Sequence, residues 1–93
     1  MPATDKQALV ARLETLHDLL QHEPASPLVT QALHQCERLE HALRQSHAEG
    51  LRFASFTLNR LMQQPGANLR DSTQTAGRQL KEALDAAGYT SQH

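Results

Sequence analysis

Two proline-bearing breaks, HEPASP at 22–27 and QQPG at 63–66, divide the chain, and between them residues 28–64 carry no proline and no Asn-Gly or Asp-Gly pair. Proline has no N–H and its ring collides with the preceding helical turn, so each break ends a helix. Whatever secondary structure forms must fit three segments, of which the middle one is by far the longest.

The material of those segments is helical. The chain has two valines and no isoleucine or tryptophan, so the usual residues of strands are nearly missing. Leu, Ala, Gln, Glu and Arg dominate instead, and all favour helix. The expected fold class is all-α, with one domain over 1–93. The core must be thin at this length, and small domains with thin cores draw support from disulfides, metals or self-association. A single cysteine, Cys36, excludes an internal disulfide. Self-association is the expected support.

Three amphipathic helices follow from the spacing. In the first, over about 5–22, Leu9, Leu13, Leu16 and Leu20 recur at steps of four and three behind a capping-box pair, Thr4 and Gln7. The second starts at Pro27 behind the N-cap residue Ser26 and extends over about 27–63. Counting about 100° per residue, Val29, Ala32, Leu33, Cys36, Leu43, Leu51, Ala54, Leu58 and Leu61 keep one phase across Gly50. That favours one continuous middle helix, kinked or broken at most near 46–50. Ser46 and Glu49 also have capping-box spacing, which is the argument for the alternative of four helices and a compact bundle folded back near Gly50. The last helix spans about 67–87, opened by Ala67 or Asn68 and closed by Gly88, with a frayed tail at 89–93. In the continuous form the outer helices each cover half of the middle one and leave part of its apolar stripe bare, so the bundle is expected to be completed by a second copy, as a homodimer.

The stretch LRFASFTLNR, 51–60, stands apart. Leu51, Ala54, Leu58 and Leu61 share one helical face, whereas Phe53 and Phe56, the only phenylalanines in the chain, fall near the opposite side with Arg60. Either this is a central helix covered on both faces, or the phenylalanines form a contact surface for a partner or for a membrane. Leu51, Arg52, Phe53, Phe56, Arg60 and Leu61 are the candidate partner-binding residues.

Other chemistry is thin. His34, Glu37 and His41 lie on one helical face and are a candidate metal set, but the spacing is not HExxH, one helix does not close a coordination sphere, and a solvated polar face is the plainer reading. No cofactor is expected. Cys36 sits on the apolar seam as a small hydrophobe. There is no phosphate loop, nucleophile elbow or zinc quartet, so no enzymatic activity is expected. Residues 51–81 hold Arg52, Arg60, Arg70, Arg78 and Lys81 against Asp71, a weak basic face on which a nucleic-acid-associated regulator is the alternative function. With 9 basic against 10 acidic residues overall, that footprint is not strong enough to lead. No apolar run approaches a membrane span, and the N-terminus lacks the apolar core of a secretory signal, so a cytoplasmic protein is expected. The leading expectation is a small, non-enzymatic, self-associating module that binds an unidentified protein through helix faces.

Overall fold

A computed structural model describes residues 2–64 and 66–88, with side chains from Lys6 onward. Four helices form, α1 Pro2–Gln21, α2 Pro27–Gln45, α3 Ala48–Met62 and α4 Asp71–Ala86. The all-helical bundle is as expected. The count is not, because the middle segment is two helices.

The division falls at Ser46 and His47. Ser46 takes a left-handed backbone conformation, φ 55°, and the chain turns back on α2. The N–H of His47 donates to the Ala42 carbonyl at 3.0 Å and that of Ser46 to Leu43 at 3.2 Å. These two bonds satisfy terminal carbonyls of α2 in a Schellman arrangement, with serine where glycine is usual. His47 then caps α3, its Nδ1 accepting the Gly50 N–H at 2.9 Å. The capping pair read at Ser46 and Glu49 is therefore displaced by one residue. Gly50 does not break the helix; it makes room, since a Cβ there would lie 2.8 Å from His47 Nδ1.

Replacing Ser46 with glycine separates the two topologies by sign. A non-glycine residue in the left-handed region costs about 1–2 kcal/mol, part of which glycine returns as unfolded-state entropy. Ser46→Gly is expected to raise stability by roughly 0.5–1 kcal/mol in chemical denaturation. In a continuous helix the same change would lower it by about as much.

The packing pairs define the rest. Lys6 Nζ reaches Ser46 Oγ at 3.0 Å and His17 Nε2 lies 3.8 Å from Glu37 Oε2, so α1 and α2 are antiparallel. Glu23 meets Arg70 and Thr73 while Arg12 meets Gln79, so α1 and α4 are antiparallel too. With α3 returning along α2, the order is up-down-up-down around a ring in which α3 and α4 are the least closely packed neighbours. Leu9, Leu13, Leu16 and Leu20 of α1, Cys36, Leu39 and Leu43 of α2, Leu51 and Leu58 of α3, and Leu80 and Leu84 of α4 fill the centre. The fold-back encloses the apolar stripe within one chain, so the exposed stripe that was to be covered by dimerisation does not form.

Two boundaries also differ. Ser26 and Pro27 start α2 as expected, with Ser26 Oγ accepting the Val29 N–H at 3.1 Å. Helix α1, however, begins at Pro2, ahead of the Thr4 capping pair, and the Thr4 side chain lies outside the described residues. Helix α4 begins at Asp71, not 67 or 68. Gly66 and Asn68 have positive φ, 82° and 56°, and Leu69 is buried from the loop. Gly88, φ 84°, closes α4. The expectation of a frayed 89–93 lies outside the described residues.

Helix α4 has no side-chain cap of its own at Arg70. Glu23, in the turn after α1, supplies one from a distance. Its Oε2 accepts the Thr73 hydroxyl at 2.5 Å and the Arg70 N–H at 3.1 Å. A carboxylate at a helix N-terminus is also favoured by the helix dipole. The Thr73 hydroxyl first, and the Arg70 N–H with it, hold the Glu23 carboxyl below its ordinary pKa against an opposing effect of burial.

Candidate functional site

Helix α3 presents two unlike sides. Its inner side, Leu51, Ala54, Leu58 and Leu61, belongs to the core. Its outer side carries Glu49, Arg52, Phe53, Phe56 and Arg60, all exposed. Each phenylalanine is 61% exposed, and they are the only large hydrophobic side chains left exposed among the described residues. Such residues are ordinarily the first to be buried. The choice between a helix covered on both faces and a bare surface is decided for the single chain: the outer face is bare.

The six candidate partner-binding residues therefore divide. Arg52, Phe53, Phe56 and Arg60 lie on the surface. Leu51 and Leu61, 1% and 7% exposed, are buried in the core of the chain. Glu49, which the sequence reading used only as a cap, joins the outer face. The Arg60 guanidinium stands 5.8 Å from the centre of the Phe56 ring, close enough for cation–π attraction.

A groove flanks α3 on each side. Between α3 and α4 a cavity of about 590 Å³ has Leu16, Leu80 and Leu84 at its base and Phe56, Met62 and Lys81 along its walls. Gly77 lies under the Met62 methyl, where a Cβ would come within 2.7 Å of it. Ser55, 6% exposed, lines this groove with a hydroxyl that has no hydrogen-bond partner among the described residues. Between α2 and α3 a second cavity of about 660 Å³ is bordered by Phe53, His34, Glu37, His41 and His47. Phe53 and Phe56 thus stand on the ridge between the grooves, one at the edge of each.

The metal candidates His34, Glu37 and His41 line the second groove, and among the described residues no three His, Cys, Asp or Glu side chains converge in a way that holds a metal. Glu37 is instead within 3.8 Å of His17 on α1. Cys36 is buried, and burial first, then the neighbouring Glu37 carboxylate, pushes its thiol up to about 12, so it stays protonated at neutral pH. The basic residues of 51–81 are spread over α3, the loop and α4, and Lys81 is tied to Asp85 at 3.0 Å. No described helix is long and apolar enough to cross a membrane.

The fold and its bare ridge define an up-down-up-down four-helix bundle with one aromatic outer face. No protein-family model, curated protein or solved structure matches the chain.

Proposed function

We propose that the protein is a small helical interaction module that binds another polypeptide through the outer face of α3, and that it works by association rather than by catalysis. The observation that carries this reading is the pair Phe53 and Phe56, exposed side by side on a helix whose other face already has its full share of core contacts. Aromatic and Arg side chains are the types enriched where binding energy concentrates, and Arg52 and Arg60 border the pair. The physical mode is a helix face packed against a partner helix or groove.

The reading is tested by the size at which the tagged protein elutes from extracts of the cells that make it. The wild type is expected in a complex larger than the 10.3 kDa chain, and Phe53→Ser/Phe56→Ser at the size of the chain alone. Identical elution of the two would contradict it, provided circular dichroism shows both folded.

A further inference from the structure

On the reading that the outer face of α3 binds a polypeptide, we infer that the partner is a second copy of this chain, docked α3 against α3 in an antiparallel, two-fold register that sets Phe53 against Phe56 of the other copy and Glu49 against its Arg60. The argument begins with spacing. Glu49, Phe53, Phe56 and Arg60 follow one another at steps of four, three and four, and at about 100° per residue they lie within about 60° of one another around the helix. All four are exposed. They form a single stripe with an acid at one end, two aromatic rings in the middle and a base at the other.

Such a stripe is complementary to itself only when reversed. An isologous contact requires that if residue i meets residue j, then j meets i. Pairing Phe53 with the other copy's Phe56 puts the two-fold axis midway between Ala54 and Ser55, and that one choice brings Glu49 of each copy opposite Arg60 of the other. Two ion pairs then flank a cluster of four rings, an arrangement in which aromatic pairs gain beyond their buried area. Arg52 falls opposite Thr57, so no like charges meet. The parallel alternative fails on the same residues, because it would set Glu49 against Glu49 and Arg60 against Arg60. Glu49 makes no salt bridge within its own chain among the described residues, nor does Arg60, so both are at liberty to pair across the interface.

The test uses sedimentation equilibrium on the full chain and three variants, Glu49→Arg, Arg60→Glu and the double exchange. Each single reversal replaces two attractive contacts with two repulsive ones and is expected to weaken dimerisation about tenfold or more. The double exchange restores opposite charges at both ends and is expected to return the dimer to near wild-type strength. A one-to-one mixture of the two single variants is expected to form a heterodimer, since one then carries only bases and the other only acids on the stripe. Arginine at position 49 also places a positive charge in the first turn of α3, which weakens that helix end. This penalty is shared by Glu49→Arg and the double exchange, so rescue of the first by the second reports on the interface. A wild type that stays monomeric into the millimolar range overturns the inference and leaves the interaction-module reading to its own test. So does a dimer indifferent to single reversal, or one that the double exchange fails to rescue.

Discussion

Glu23→Ala is expected to lower the stability of the folded chain by about 2–3 kcal/mol, because it strips two donors of their acceptor at once. The Thr73 hydroxyl is wholly buried, and the Arg70 N–H stands at the start of a helix with no cap of its own. For a domain of this size the loss corresponds to a fall in melting temperature of roughly 10–20 °C. Glu23→Gln keeps an acceptor oxygen but not the charge, and should recover part of the loss. The difference between wild type and Glu23→Gln is also expected to depend on pH with a definite sign. The carboxyl is held below its ordinary pKa in the folded chain, so its contribution is fully present above about pH 4.3 and is lost as pH falls through the folded-state value. Wild type and Glu23→Gln should therefore converge as the solution is acidified below about pH 4, in thermal melts at fixed ionic strength. Parallel curves would mean that the carboxylate does not hold α4.

Phe53→Ser/Phe56→Ser is expected to have the opposite profile, a large effect on association and almost none on folding. Each ring is mostly in solvent, so its removal should shift unfolding by no more than about 0.5 kcal/mol. Central aromatic residues at an interface commonly cost 2 kcal/mol or more when truncated, and two of them together correspond to a loss of affinity of at least about a hundredfold. Leu51→Ser and Leu61→Ser serve as contrasts from the inner side of the same helix. They are expected to damage folding first, since each places a hydroxyl where a core leucine stood.

What was legible beforehand, and what was not, follows from the range of the forces involved. Leu9, Leu13, Leu16 and Leu20 announce α1 because helical periodicity is local, and Ser26 with Pro27 marks the start of α2 because capping is local. The phase that runs from Val29 to Leu61 identified most of the buried residues correctly and misjudged the path. Both α2 and α3 turn their apolar faces to one core, so the same residues are buried whether the chain runs straight or folds back. The turn itself is made by a serine in the left-handed region and a histidine as cap, neither of which is the usual residue for its position. Leu69 falls inside the 67–87 expected as helix, yet it is buried from the loop ahead of α4. Glu23 was invisible for a different reason, since its partners lie 47 and 50 residues away and no local pattern points to them. In the candidate site, Phe53 and Phe56 stood out through their angle from the leucines. Leu51 and Leu61 lie on the leucine face, part of which a continuous middle helix would leave bare, whereas the fold-back buries both.

The most direct measurement of the central claim is photo-cross-linking in the cells that make the protein, with benzoylphenylalanine placed in turn at position 53, at position 56 and, as a control on the exposed side of α4, at position 75. Adducts of discrete mass from 53 and 56, with none from 75, are the predicted result, and a product of twice the chain mass would identify the second copy as the partner. Equal or absent cross-linking at all three positions would contradict the claim that the outer face of α3 is where this protein makes its contacts.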